Sequence, residues 1–214
     1  MLDTLNFLIQ GLGVTIYISI FSFILGLVTA TFFTLLRLFP GTWGGAIVSS
    51  YVEVFRGTPV LVQLLFIYFG LPALGVRFDP LTAGILALGL NSAAYQTEIL
   101  RSAIKSIPKE QFLAAESLGL THIQIYRHVI LPQALRIALP SLVNEVIALI
   151  KESSLVSVIG VVELTRRGEY LVAVTFKAFE VFAAVAFIYF ITCYTLSRGA
   201  KILERKITIP GYVR

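Results

Sequence analysis

The residues of this chain that are best suited to chemistry are polar and ionisable side chains within long apolar segments. The fourth such segment contains Asn144, Glu145, Lys151 and Glu152. Asn144 and Lys151 are seven residues apart, as are Glu145 and Glu152, so two helical turns place all four on one broad face. Because ionisable groups are costly in an apolar environment, they usually face a cavity or a partner. We therefore expect this face to bind a ligand.

The third apolar segment carries a second polar group, Asn91, Ser92 and Gln96, which falls within about two helical turns. We expect these side chains and the four of the fourth segment to line one cavity. Such a cavity would offer a zwitterion one cation, two carboxylates and several neutral donors. Two carboxylates against one lysine leave the face net negative if all three are ionised, which favours a guest that carries a positive charge.

Some of the charged residues have a structural alternative. Glu98 and Arg101 are three residues apart, and so are Glu53 and Arg56, so a simple salt bridge is the favoured interpretation for each pair. For Lys151 the alternative is neutralisation of a neighbouring carboxylate.

The composition indicates that these segments lie in a membrane. The 214 residues are 57% hydrophobic and only 14% charged, with a mean hydropathy of +0.87, whereas soluble domains carry about a quarter charged residues. A span needs roughly 20 apolar residues. We predict an all-α integral membrane protein with about five spans: Phe7 to Leu36, about Ile47 to Leu74, Leu81 to about Ile104, near Pro132 to about Val162, and Ala178 to about Leu196. The second begins amphipathically, and the alternative for that part is a position flat on the membrane.

The basic residues orient the chain. Most of them fall on one side of the membrane, while the other side has Arg77, Arg166, Arg167 and Lys177. The positive-inside rule makes the richer side cytoplasmic, with the N-terminus outside and the C-terminus inside. The formal net charge of +5 does not indicate nucleic-acid binding, because the basic residues are scattered at helix ends.

The cytoplasmic loop between the third and fourth spans, about residues 106–132, predicts two helices joined by a glycine turn. Residues 109–118 are good helix formers, and Gly119 is typical of a left-handed C-terminal cap. Thr121–Gln124 fits a capping box for a second helix, which we expect to end near Leu131–Pro132. A rigid elbow of this kind is suited to docking on another protein. The alternative is a helix pair that contacts only lipid headgroups.

The elbow also carries small and apolar residues at fixed spacing: Ala114, Ala115, Gly119, Val129, Leu131 and Pro132. This spacing resembles the EAA loop of ABC-importer permeases, which reads Glu-Ala-Ala, three residues, Gly, nine residues, Ile, one residue, Leu-Pro. Leu113 replaces the Glu and Val129 the Ile; Glu110 and Glu116 are the nearby carboxylates. Three further stretches are similar to polar amino-acid permeases: EVFRGTPVLVQ at 53–63, SAAY at 92–95 with Glu98, Ile99 and Arg101, and KESSL at 151–155.

The resemblance implies a type I ABC importer-like permease of the histidine, arginine and glutamine type, with one transmembrane domain over residues 1–214. It would lie in a prokaryotic plasma membrane and pair with a second permease, identical or different. The elbow would contact a separate ATPase subunit, expected in two copies, through Lys109, Phe112, Ala114, Ala115, Glu116, Gly119, Leu131 and Pro132. A binding protein outside would deliver the amino acid. Basic amino acids are favoured over acidic ones, and glutamine is second because the family handles it with a similar Lys-Asp/Glu segment.

The sequence predicts a transport subunit and not an enzyme. The chain lacks the Gly-x-x-x-x-Gly-Lys-Ser/Thr phosphate loop, so ATP and Mg are expected on the partner and no cofactor on this chain. His122 and His128 have no second ligand cluster near them in sequence, so no metal site is expected. A secondary transporter or channel acting alone would favour inverted repeats, which we do not find. An intramembrane enzyme would need a catalytic cluster, and a membrane adaptor would not need buried carboxylates.

Overall fold

The computed structural model describes residues 2–38 and 43–207, and the regular structure in these ranges is helical. Apolar segments in lipid must satisfy their backbone groups internally, which helices achieve. The predicted all-α membrane fold is confirmed. The helices are α1 (Leu2–Leu38), α2 (Gly44–Gly57), α3 (Val60–Leu65), α4 (Pro80–Lys105), α5 (Lys109–Ser117), α6 (His122–Ile125), α7 (Leu131–Glu152), α8 (Leu164–Thr175) and α9 (Ala178–Ile207).

Two helices of the described part, α1 and α9, are long and apolar enough to cross a membrane by length and composition. Their qualifying stretches, Thr4–Arg37 and Ala178–Ile202, contain the first and fifth predicted spans. The bent pair of α2 and α3 would add a third if it is counted as one span. α4 and α7 contain 26 and 22 residues, which is long enough at about 1.5 Å per residue, but they carry more polar side chains. The count of five spans therefore stays a prediction.

α4 lies at the centre of the helix packing, against α1, α2 and α7. Its polar side chains Asn91, Ser92, Gln96 and Thr97 are buried between these neighbours, and a helix surrounded by protein does not need an apolar outer face. A Cβ added at Gly26 of α1 would lie 3.2 Å from backbone atoms of α4. The two helices thus cross closely because small residues line the crossing.

The second predicted span is not one straight helix. α2 and the helical segment 60–74 are bent by 104° at Thr58–Pro59, where both residues adopt extended backbone conformations. The residue before a proline is disfavoured in the helical region, so the helix ends there. α3 then continues through a π-helical turn, Phe66–Gly70, and a 3₁₀ turn, Leu71–Leu74.

The fourth predicted span also differs, because α7 ends at Glu152 and not near Val162. A 3₁₀ segment, Ser153–Ile159, follows and ends at Gly160, whose φ is +90°. The chain then enters α8, an amphipathic helix that the hydropathy pattern did not indicate. Its first turn packs on α1 so closely that a Cβ at Gly11 would lie 2.8 Å from the Leu164 Cα.

The predicted elbow forms. Gly119 has a φ of +78°, and its N–H donates to the Glu116 carbonyl while the Leu120 N–H donates to the Ala115 carbonyl, the paired bonds of a glycine cap. The Thr121 and Gln124 capping box is present.

The end predicted for the second elbow helix, near Leu131–Pro132, is wrong. α6 runs through a π-helical turn, Tyr126–Ile130, directly into α7. A proline ring normally clashes with the carbonyl four residues before it. The wider π turn accommodates Pro132, so the helix passes the proline without a break.

Candidate functional site

Three of the side chains predicted to bind substrate form a hydrogen-bonded row that joins α4 to α7. The Ser92 hydroxyl donates to Glu145 Oε1 at 2.7 Å, and the Gln96 amide donates to Ser92 Oγ at 2.9 Å. Gln96 also donates to the Phe23 carbonyl of α1 at 3.3 Å. Ser92 and Gln96 meet because they are four residues apart on one helix face. One buried polar row therefore holds the Glu145 carboxylate in place.

Asn91 immediately precedes Ser92 in the sequence, so it lies on a different face of α4 and outside this row. Its amide donates to the Phe55 carbonyl at 3.0 Å and to Gln63 Oε1 at 3.1 Å. Gln63 in turn donates to the Phe55 and Thr58 carbonyls at 2.9 and 3.1 Å. These carbonyls are freed where α2 ends, so the two amides satisfy the backbone at the break between α2 and α3.

The remaining predicted binding residues lie along α7. Asn144 and Lys151 are exposed, and Glu145 and Glu152 are half-buried. Lys151 and Glu152 line an open depression of about 310 Å³ with Ala148, Ser154 and Leu155. Among the described residues, neither Glu145 nor Glu152 has a cation within ion-pair distance. In the described part of the chain, Ser92, Gln96 and Glu145 are joined by hydrogen bonds, Lys151 and Glu152 share the depression, and Asn91 lies apart at the break between α2 and α3.

The two predicted structural ion pairs have different outcomes. Glu98 pairs with Arg101 as expected, and its other oxygen accepts from Arg37 of α1 at 2.8 Å. The Glu53–Arg56 pair does not form. The Arg56 guanidinium lies instead over the Tyr95 ring, 5.2 Å from its centroid, where the ring face attracts a cation.

In the elbow, the predicted contact residues divide into a packed side and an open side. Ala115 is buried, and the Phe112 ring packs edge-on against His122 and Tyr126 at centroid distances of 5.0 and 6.2 Å. The exposed side contains Lys109, Ala114, Glu116, Gly119 and Pro132, with Leu131 half-buried.

Three large apolar residues of the elbow are also open to solvent and were missed by the motif: Leu113, Leu118 and Ile123, exposed to 58%, 81% and 73%. The first stands where the EAA pattern has Glu. The signal that could have identified them in the sequence is the presence of large apolar side chains near a polar turn. An exposed apolar group on a rigid elbow is typical of a protein-docking surface.

Sequence reasoning also missed Glu163, which is fully buried at the start of α8. Its carboxylate accepts from the Thr165 and Arg166 N–H groups at 2.8 Å and from the Tyr189 hydroxyl at 2.9 Å. Those contacts tie α8 to α9. A carboxylate at the end of an apolar run and just before a helix is the signal that identifies it.

Comparison with known proteins gives one consistent result. Residues 22–209 match the family described as binding-protein-dependent transport system inner membrane component. The glutamine transport system permease protein GlnP of Escherichia coli (strain K12) is 43% identical over 204 residues, 94% of this chain and 93% of that protein. The arginine transport system permease protein ArtQ of Bacillus subtilis (strain 168) is 38% identical over 205 residues, 94% and 92% of the two chains. The crystal structure of an amino acid ABC transporter with histidines superposes with a TM-score of 0.92 at 40% identity, over 96% of each chain.

Proposed function

Because the chain belongs to the family of binding-protein-dependent transport system inner membrane components, we propose that it is the permease subunit of an ATP-driven amino-acid importer. The family match covers most of the chain. The relatives named for glutamine and arginine transport, and the amino acid ABC transporter, support an amino-acid substrate. Such a permease provides a path and does not catalyse ATP hydrolysis.

The elbow is the proposed contact with the ATPase. Its glycine cap and capping box make it rigid, and Leu113, Leu118 and Ile123 give it an exposed apolar surface. The Gln133 amide contacts Gln111 at 2.5 Å and so joins α5 to α7. A displacement of the elbow would therefore be transmitted to α7, which carries several of the proposed substrate residues. ATP and Mg would be held by two copies of the ATPase subunit.

The complete importer would contain a second permease, either a copy of this chain or a different one, and a binding protein outside the membrane. The family description names binding-protein dependence. The proposed orientation has the N-terminus outside and the elbow and C-terminus in the cytoplasm, which brings the elbow to the ATPase. A second permease would also cover the open face of α7, so that the substrate would be enclosed between the two subunits.

The proposed substrates are basic amino acids, and the observation that carries this proposal is that the α7 carboxylates have no ion-pair partner among the described residues. Glu145 is oriented by Ser92 at 2.7 Å, which leaves its second oxygen free of side-chain donors among the described residues. Glu152 lines the depression beside Lys151. An unpaired charge in a membrane costs at least about 2.5 kcal/mol, and a guanidinium or ammonium group of the substrate would offset this cost.

Glutamine is the second candidate, because the relative named for glutamine transport is 43% identical to this chain. Asn144 and Lys151, both exposed on the same helix, would suit a neutral amide and the substrate carboxylate. This alternative requires no charged contact from Glu152.

The test is to reconstitute the permease with its ATPase and binding protein and to measure ATP hydrolysis with each amino acid in turn. Stimulation by arginine, lysine or histidine at lower concentrations than glutamine supports the basic preference. Stimulation by glutamine alone assigns the second candidate. No stimulation by any amino acid contradicts the proposal of an amino-acid importer.

A further inference from the structure

Four cations of the described part of the chain lie around a cavity that the transport proposal does not use. The cavity encloses about 690 Å³ between α1, α2 and α4, at the end of the bundle that carries the elbow. Its charged lining residues are Arg37, Glu53, Arg56, Glu98, Arg101 and Lys105.

The cations exceed the carboxylates. Glu98 is shared by Arg37 and Arg101, with the Arg37 Nη1 and the Arg101 Nε each 2.8 Å from one of its oxygens. Among the described residues, Arg56 and Lys105 form no ion pair. Four cations and two carboxylates leave an excess of two positive charges.

Helix termini remove only part of this excess. α1, α2 and α4 end at or near Arg37, Arg56 and Lys105, and α2 begins beside Gly45, which also lines the cavity. Each terminus carries about half an elementary charge, negative at a C-terminus and positive at an N-terminus. Three C-termini and one N-terminus contribute about −1 in total, so about one positive charge is left without a partner.

The helices that form the cavity carry apolar side chains on their outer faces. Phe32 and Leu35 of α1 and Ile47 and Val54 of α2 are exposed large side chains, on helix faces that turn away from the lining residues. Trp43, exposed to 87%, lies at the start of α2, two residues before Gly45. Cations next to apolar side chains and a tryptophan are typical of the headgroup level of a bilayer.

We propose that this cavity binds the phosphate of an anionic phospholipid. One monoanionic phosphate matches the remaining charge, and basic pockets between membrane helices are suited to such headgroups. Arg56 and Lys105 donate to the phosphate, while Arg37 and Arg101 are held by Glu98 and shape the site. The acyl chains extend from the cavity to the outer faces of α1 and α2, where the exposed apolar side chains lie. A free inorganic phosphate has the same charge but gains nothing from these apolar contacts.

Trp43 allows a direct test because it is the only tryptophan of the chain. The full-length chain is reconstituted in phosphatidylcholine vesicles that contain phosphatidylglycerol, with brominated acyl chains on one lipid or the other. Quenching of Trp43 fluorescence then gives the preference for phosphatidylglycerol. Each cation near the membrane surface contributes about 1 kcal/mol, so two cations predict a preference of about thirtyfold.

The variant with both Arg56→Gln and Lys105→Gln should lose almost all of this preference. The matched control, Arg127→Gln with Arg136→Gln, removes two exposed cations outside the cavity and should retain it. If the double variant does not fold, Lys105→Gln alone, at the exposed last residue of α4, should lower the preference about fivefold.

Three results would overturn the proposal. The first is equal quenching by the two lipids in the wild-type chain, and the second is equal loss of preference in the cavity variant and its control. The third is relief of the phosphatidylglycerol quenching by millimolar inorganic phosphate at constant ionic strength, which would assign the cavity to a free anion.

Discussion

Single side chains on α7 determine the proposed substrate preference. Replacing Glu152 with Gln keeps the shape of the side chain and removes its charge. Since a hydrogen bond to a charged group contributes about 1.5–3 kcal/mol, we expect the KM for arginine and lysine to rise about 10- to 100-fold, with glutamine uptake almost unchanged. Uptake by the reconstituted importer measures this effect.

Glu180→Gln is the control for this change, because it removes an exposed carboxylate in the first turn of α9. It should leave the uptake of all substrates unchanged. Equal loss for arginine, lysine and glutamine in Glu152→Gln, together with a lower Tm, would assign Glu152 to the fold and not to the substrate.

The crossing of α1 and α4 gives a prediction on stability. A Cβ at Gly26 would lie 2.6 Å from Gln96 Nε2 and 3.2 Å from two backbone atoms of α4, and such overpacking costs about 1–3 kcal/mol. Gly26→Ala should therefore lower the Tm of the purified chain by roughly 3–10 °C. Gly13→Ala on the same helix meets nothing within 4 Å and should leave the Tm equal or slightly higher. Equal Tm changes in the two variants would show that the helices do not cross as closely as described.

The sequence predicted which polar residues belong to α4 and α7, but not how they are grouped. Residue type identified Asn91, Ser92 and Gln96 as candidate binding residues. Helical spacing could have separated Asn91 from the other two, because only Ser92 and Gln96 are four residues apart. The partners are not local: Gln63 is 28 residues from Asn91, and Glu145 is 53 residues from Ser92. Contacts over such separations depend on how the helices pack, which single-residue patterns do not contain.

At the scale of elements, the elbow is the part whose loss should uncouple the importer. Gly119 has a φ of +78° and open space around it, so a side chain costs about 1–2 kcal/mol of backbone strain and meets no atom of this chain. Gly119→Val should leave membrane insertion intact and abolish the coupling of ATP hydrolysis to transport, because the new side chain would obstruct the ATPase contact. The ratio of substrate transported to ATP hydrolysed measures this.

Gly75→Val is the matched control for the elbow variant. Gly75 has a φ of +82°, also has open space, and lies outside the elbow, so it imposes a similar strain. Its coupling ratio should equal that of the wild-type protein. Full coupling in Gly119→Val, or the same defect in both variants, would show that the elbow is not the docking element.

Elements fixed by local signals were predictable, and those fixed by packing were not. The glycine cap and the capping box of the elbow involve residues only a few positions apart, so the sequence revealed both. The break at Thr58–Pro59 also had a local signal, but hydropathy continues through it and suggested one span. α8 was missed because it is amphipathic and short, and it is held by Glu163 and by the close approach to Gly11.

At the scale of the whole molecule, orientation is the first prediction. In a chain with Cys193→Ser, which removes the single natural cysteine, a cysteine at the exposed Ser117 of the elbow should react with an impermeant thiol reagent only from the cytoplasmic side. A cysteine at the exposed Lys177, between α8 and α9, should react only from outside. The distribution of basic residues predicts this result, and the opposite labelling pattern would invert the topology.

Composition predicted a membrane protein because the chain has far fewer charged residues than the surface of a soluble domain carries. It did not determine how many helices cross, since α4 is buried by its neighbours and is correspondingly polar. A central helix of this kind satisfies its polar groups within the protein, so its mean hydropathy can be lower than that of a helix that faces lipid.

The measurement that tests the central claim most directly is accumulation of radiolabelled arginine in vesicles that contain this permease, its ATPase and the binding protein. We predict uptake against a concentration gradient that requires ATP on the ATPase side and the binding protein on the opposite side. Glutamine is measured in parallel, so that a different substrate is distinguished from a different mechanism. Uptake of either amino acid that proceeds without ATP, or without the ATPase subunit, would contradict the account.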